Sequence, residues 1–432
     1  MIALPLLFFG VPAAALDQYG GWTGLKGEAT GFFHTQQIDG RWWLVDPEGN
    51  VFWSIGVNAI RFEGDTIRGT NRQPYKEAAL AKYGSLEAWT EATLSFLRDL
   101  GFNTIGAWSG DYLFEKGMPY TIILNVAARA GANWVQGKFI DVWDPRFEET
   151  AEKVAAEVCA PRRASKLLIG YFTDNELHWG PDWRARTTLL EEYLMMPPEA
   201  PGHARAVEFL KARYESIGDL NAAWHINLTG WDQLDGGVTF DGSGRTEQAG
   251  RDSFAFLEMV ARRYFEVCHS AIRRHDPNHL IMGCRLAGVW DVVVPRAAKG
   301  LVDVFSANFY VPQPQSGPLE AMAEAAGAPV VITEWSFRSR DSGLPNTKGA
   351  GPLVNTMAER AQKYRDYLTG LLKMPVVVGA HWFKHCDEPA EGRFDGENSN
   401  YGLVNIKDEP YQEFLEVVRE VNARAYEIRL AK

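Results

Sequence analysis

The sequence predicts an α/β protein of the (β/α)8 barrel class, and three observations carry that expectation. Eight short apolar runs recur along the chain, amphipathic helical patterns fall between most of them, and polar or aromatic side chains collect at the C-terminal end of the runs. Parallel strands cannot be joined by tight turns and need helical crossovers, so the alternation implies a parallel sheet. The competing arrangement, a doubly wound open sheet, commonly carries a glycine-rich phosphate loop after its first strand, and none is present.

The elements follow in order. "TGFFHTQQIDGRWWLVDPEGN" (30–50) reads as a β-hairpin with turns at Asp39-Gly40 and Glu48-Gly49. The eight strands are expected at "VFWSIGVN" (51–58), "FNTIGAWS" (102–109), "YTIILNVA" (120–127), "LLIGYFTDNE" (167–176), "LIMGCRL" (280–286), "VDVFSANFY" (302–310), "PVVITEW" (329–335) and "VVVGAHWF" (376–383). Among the helices, "LEAWTEATLSFLRDLG" ends at Gly101, "PRFEETAEKVAAEV" opens with Pro145 in a first-turn position, and "MAERAQKYRDYLTGLLK" is amphipathic. A barrel of this kind needs about 250 residues, so the surplus in 432 must be insertions. The largest spans 181–250, follows the fourth strand, and contains a helical hairpin in "HARAVEFLKARYESIGDLNAAWH". It would stand over the C-terminal mouth, where barrels build their sites.

Residues 1–15 read as a secretory leader, with an apolar core and an A-x-A type site at Ala13-Ala14-Ala15 but no basic start; a buried N-terminal strand is the alternative. Residues 16–432 are then one catalytic domain, and a secreted or periplasmic location follows from the leader. The run is too short and Pro-broken to span a bilayer, and no later segment does so. Net charge is −11, and no basic run tracks a phosphate backbone, which argues against a nucleic-acid partner. The four cysteines, Cys159, Cys268, Cys284 and Cys386, lack C-x-x-C spacing, so no zinc site is expected; Cys159 and Cys284 sit in apolar patterns as plain thiols, and a disulfide stays open. The 15 Trp exceed ordinary usage, and Trp serves both as core filler and as a flat platform for sugar rings.

The strand ends hold the candidate site. They carry Asn58, Trp108, Asn125, Asn175 and Glu176, Asn308 and Tyr310, Glu334, and His381 and Trp382, with Trp179 just beyond the fourth. A lone Glu in such a place caps a loop or pairs with an arginine such as Arg285. Two of them, ending strands four and seven on opposite sides of the ring and flanked by Asn or Trp, suit glycoside hydrolysis. There one carboxyl protonates the leaving oxygen while the other attacks the anomeric carbon or activates water. Asn175 would donate to a sugar 2-hydroxyl. Tyr310 would aim Glu334, or else snorkel at the rim. Trp382 suits the floor under the sugar, with Trp108 and Trp179 flanking. Asp174 points to the other side of the strand and is read as structural, held by an arginine. In the loop "HCDEPAEGRFDGENSNYG" (385–402), Glu397 or Asn398 would bond sugar hydroxyls, the alternative being a calcium-like or structural turn.

With these residues in hand, the sequence resembles the retaining (β/α)8 glycoside hydrolases grouped with the β-agarases of glycoside hydrolase family 50. The segments that carry the likeness are "TGFFHTQQIDGRWWLVDPEGN", "GFNTIGAWS", "GYFTDNELHWG" and "VVGAHWFKHCDEPAEGRFDGENSNYGLVNIKDEPY", from Thr30 to Glu413. The resemblance implies Glu176 as acid/base, Glu334 as nucleophile and an agarose-like galactan as substrate; no cofactor is expected. The continuation "ITEWSFR" after the seventh strand departs from the Glu-Phe-His type of those agarases, and the chain leaves no room for their large N-terminal β-domain. "FLKARYESIGDLNAAWH" is similar to a segment of family 42 β-galactosidases. A β-galactosidase or β-glucanase of the same clan is therefore the second reading, and a non-catalytic carbohydrate-binding barrel a third. A metal-dependent hydrolase would need ligands such as His178, His381 and His385 gathered at the mouth, and no H-x-H follows the first strand. Oligomeric state, linkage, and exo or endo action are left open.

Overall fold

A computed structural model describes residues 15–238, 245–288 and 291–431. The leader assigned to 1–15 lies outside the described residues except for Ala15. Four antiparallel strands come first: β1 (Trp22–Lys26), β2 (His34–Ile38), β3 (Arg41–Val45) and β4 (Asn50–Phe52), in the order β1-β4-β3-β2. The expected hairpin is β2–β3. Asp39 and Gly40 both take positive φ, 51° and 74°, as a two-residue hairpin turn requires. The second expected turn joins β3 to β4, where Asp46 accepts from the backbone N–H of Glu48 and of Asn50.

The barrel strands are β5 (Ser54–Val57), β6 (Thr104–Ile105), β7 (Tyr120–Ile123), β8 (Leu168–Phe172), β9 (Leu280–Ile281), β10 (Leu286–Ala287), β11 (Phe305–Asn308) and β12 (Val330–Trp335). After a small pair, β13 (Arg338–Ser339) and β14 (Leu353–Val354), comes β15 (Val377–Trp382). The sheet runs β10-β11-β12-β15-β5-β6-β7-β8-β9, parallel throughout. Its two edges, β9 and β10, are halves of the single fifth strand expected from the sequence. Gly283 (φ 73°) and Arg285 (φ 51°) interrupt that strand. The Ile281 carbonyl, on the side away from β8, accepts from Asp303 and Val304 N–H, so the sheet closes on itself. The protein is thus a TIM-barrel-like α/β fold with eight strand positions. The run 51–58 divides at Trp53 into β4 and β5, serving two sheets.

Inside the barrel, Ile169, Val304, Val331 and Val378 pack with Phe33, Leu44 and Phe52 of the antiparallel sheet, which plugs the end opposite the mouth. Gly170 is needed where β8 meets β9, because a Cβ there would stand 2.3 Å from the Leu280 carbonyl. Outside lie the helices expected at Leu86–Asp99, Pro145–Val154 and Met357–Lys373, capped by Ser85, Asp144 and Thr356. The insertion contains the expected pair Pro201–Arg213 and Ile217–Trp224. Its predicted end at 250 falls inside a helix, Glu247–His275, whose Leu257, Val260 and Tyr264 join the core. All four cysteines are buried free thiols. Among the described residues no helix is long and apolar enough to cross a membrane.

Candidate active site

A cavity of about 430 Å³ opens at the C-terminal end of the strands, and its wall includes Glu176, Glu334, Asn175, Trp108 and Asn125. Both glutamates expected from the sequence therefore face one space.

Glu176 follows β8 with a left-handed backbone (φ 46°), and its N–H bonds the Arg285 carbonyl at 3.1 Å. Oε1 accepts from Asn308 Nδ2 at 2.9 Å and Oε2 from Trp134 Nε1 at 3.1 Å. The orientation of Asn308 is fixed, since its Oδ1 accepts from Thr333 Oγ1 at 2.8 Å, leaving the NH2 group for Glu176 and, at 3.1 Å, for Asn175 Oδ1. Burial and the negative charge of Glu334 push the Glu176 carboxyl up to about 7, against the pull of Asn308, Trp134 and Arg285. It holds a proton near neutral pH.

Glu334 has a contrasting environment. Arg285 Nη2 donates to Oε1 at 2.6 Å, Trp108 Nε1 approaches the same oxygen at 3.4 Å, and Tyr310 donates to Oε2 at 2.8 Å. All three of these partners are donors. Burial and the Glu334 charge hold the Tyr310 phenol well above its ordinary value, so it stays a donor. Arg285 is fully buried, its guanidinium 5.5 Å from the rings of both Trp108 and Phe172.

Of the other expected residues, Asn175 and Trp108 line the cavity, while Asn308 and Tyr310 reach it through the glutamates. Four expectations are corrected. Asn58 is fully buried and spends its Nδ2 on the Thr333 carbonyl at 2.8 Å, tying strands together. His381 points into the barrel and bonds Ser54 Oγ at 2.8 Å; burial and the charge of Arg285 lower it to about 3, so the ring is neutral. Trp382, the residue after it, turns outward by strand alternation. It packs edge-on against Trp335 at 5.0 Å and bonds the Tyr401 carbonyl. Phe383, one position on, faces the cavity in its place. Trp179 packs on Phe139 and Tyr264 and lines a separate cavity. Asp174, expected on the other side of the strand and held by an arginine, adjoins the cavity wall and has no arginine partner among the described residues. It accepts from Ala127 and Ala128 N–H and from Tyr264.

The 385–402 loop is bonded mainly to protein. Asn398 Oδ1 accepts from the N–H of Thr347 and Lys348 at 3.0 and 3.1 Å, and Glu397 pairs with Arg393 at 2.8 Å. The cavity wall here is Arg393 and Phe394 instead. Arg393 also meets Glu388 at 3.2 Å, and Lys384 is ion-paired with Asp65. Among the described residues no three metal-binding side chains converge.

Sequence reasoning passed over Trp134 and Phe383 and named Arg285 only as a possible partner. Arg285 is the last polar residue of the fifth apolar run and was open to the same strand-end test. Trp134 lies in the loop "GANWVQGK", where no periodicity marks it.

No family model matches the chain. It is 30% identical over 490 residues to β-agarase B of Vibrio sp. (strain JT0107), covering 96% of this chain and 50% of that protein. It is 31% identical over 464 residues to β-agarase A of the same strain, covering 90% of this chain and 45% of that one. The chain thus spans about half the length of the curated relatives it matches. Among solved structures it is similar to an exo-β-agarase, with a TM-score of 0.85 and 27% identity over 98% of this chain and 69% of that one. It is also similar to an agarase, AgWH50C, with a TM-score of 0.84 and 27% identity over 96% and 68%. In fold the chain is TIM-barrel-like and similar to these solved agarase structures. In sequence it is similar, over nearly its whole length, to two proteins named β-agarases.

Proposed function

We propose that this protein is a retaining glycoside hydrolase that cleaves a β-linked, agarose-like galactan outside the cytoplasm. Glu176 is the general acid/base and Glu334 the nucleophile. The observation that carries this reading is the opposite setting of two carboxyls in one cavity. Glu176, pushed up to about 7, keeps a proton to deliver to the leaving oxygen. Glu334, ion-paired to Arg285 at 2.6 Å and bonded by Tyr310, is aimed by donors for attack on the anomeric carbon. Asn175, whose Oδ1 is taken by Asn308, has its NH2 left to donate to the sugar 2-hydroxyl. Phe383 offers an apolar face to the ring. Galactan as substrate is supported by the names of the relatives, and a secreted or periplasmic location by the apolar leader.

Removing each carboxyl tests the assignment. Glu334→Ala abolishes turnover of every substrate, whereas Glu176→Ala still forms the glycosyl-enzyme from an aryl galactoside whose leaving group needs no proton. Azide then rescues the two variants with opposite anomeric products, and proton NMR of the first wild-type product gives the retained anomer. An inverted first product, or equal loss in both variants without rescue, refutes the reading.

A further inference from the structure

A second cavity, of about 620 Å³, lies beside the first, between the chain that follows Glu176 and the helix Glu247–His275. Both volumes fall in the ~300–1,000 Å³ range of small-ligand sites. Three features join them. Leu177, the residue after Glu176, lines both cavities. Arg184, on the wall of the second, donates to the carbonyl of Glu176 at 2.7 Å and approaches that of Trp134 at 3.3 Å. Its guanidinium, fixed by Asp182 at 2.6 Å, lies 5.6 Å from the ring of Trp134 and 4.4 Å from that of Trp183. Gly137, with φ 59°, permits this approach, because a Cβ there would meet the Arg184 Cβ at 2.8 Å. A row of Trp134, Arg184 and Trp183 therefore leads from the acid/base into the second cavity.

Two rings on its wall are left open: Trp183 is 61% and Phe254 53% exposed. Large apolar faces gathered at one opening mark a binding surface rather than unfinished packing. Flat aromatic rings with charged neighbours suit pyranoses, which present both an apolar face and hydroxyls.

We propose that this second cavity binds the sugar units on the leaving-group side of the cleaved bond, an inference that rests on the glycosidase reading above. The direction follows from the chemistry. A general acid delivers its proton to the leaving oxygen, so the leaving units lie on its side of the site. The second cavity adjoins the strand end of Glu176. It accounts for why an insertion stands after that strand: the segment through Trp183 supplies one platform, and the helix beginning at Glu247 supplies the other.

The test compares Trp183→Ala and Phe254→Ala with wild type on two substrates: an aryl β-galactoside and a longer agaro-oligosaccharide. Wild type prefers the longer substrate, and in each variant that preference, the ratio of the two kcat/KM values, falls about ten-fold, as loss of an aromatic anchor predicts. An unchanged ratio, whether both values fall together or neither moves, overturns the proposal. If wild type cleaves neither substrate, the glycosidase reading itself fails and the cavity proposal goes with it.

Discussion

Replacing Trp134 by Phe removes one hydrogen bond from Glu176 and keeps the ring. That bond, from Nε1 to Oε2 at 3.1 Å, is donated to the carboxyl and so favours its charged form. Without it the charged form is less stable, the carboxyl rises from its value of about 7, and the acid stays protonated to higher pH. At 3.1 Å the bond is longer than the ~2.7–2.9 Å of the best charge-assisted bonds, so its loss is set at ~1 kcal/mol. At ~1.4 kcal/mol per pH unit this moves the alkaline limb of the kcat/KM profile upward by roughly 0.7 unit. The other charged groups around Glu176 are unchanged in the variant: Glu334, Arg285, and Arg184 on its carbonyl. The assay is kcat/KM against pH on an agaro-oligosaccharide, because an activated aryl substrate would bypass the acid. A limb that stays put or moves to lower pH refutes the assignment of Trp134, of Glu176, or of both.

Two further outcomes follow from the same geometry. Asn398→Ala breaks the clamp onto Thr347 and Lys348, so it lowers Tm by an amount matching about 1–2 kcal/mol while kcat/KM stays within about two-fold; a large activity loss at constant Tm would return Asn398 to the sugar site. Glu176→Gln gains stability relative to wild type as pH rises. The native carboxyl titrates at about 7 against 4.5 when unperturbed, so between those values the native state binds more protons than the unfolded one. Wild-type stability therefore falls as pH rises through that window. The difference in denaturant melts shifts in the variant's favour by about 1–3 kcal/mol between about pH 4.5 and pH 7, on top of a constant offset because the new amide turns its NH2 toward Asn308 or Trp134. A difference that is flat with pH would show that Glu176 is not the titrating group.

The barrel was legible because its strands and helices have different periods and parallel strands admit few connections. What the sequence hid was local. The run 51–58 reads as one strand, yet Trp53 divides it between two sheets, a choice made by pairing partners far away in the chain. The fifth run reads as continuous, and only Gly283 hinted at its interruption. The two glutamates were found because carboxyls ending apolar runs are costly without a purpose. His381, Trp382 and Phe383 show the limit of that method. Consecutive residues on a strand point to opposite faces, and β12–β15 pairing carries register shifts that no run of letters reveals. The aromatic at the cavity is accordingly Phe383, one step from the residue that composition favoured.

The mouth of this barrel is built from backbone that departs from the extended form. The first five strand positions each run into a non-glycine residue with positive φ: Ala59 at 52°, Trp108 at 64°, Asn125 at 55°, Glu176 at 46° and Arg285 at 51°. Each costs about 1 kcal/mol or more, and such strain persists only where the surroundings impose it. Here the first four line the cavity and the fifth donates to Glu334. A residue in extended form would continue the alternation and send the next side chain over the rim. A left-handed one turns the chain at the rim, which lets Glu176 N–H reach the Arg285 carbonyl while both side chains serve the same site. The interruption of the fifth strand thus has two consequences from one cause: it brings Arg285 onto Glu334, and it divides that strand into halves that bond different neighbours. Local rules fail together around this mouth, the distribution expected when strain is retained for function rather than scattered by chance.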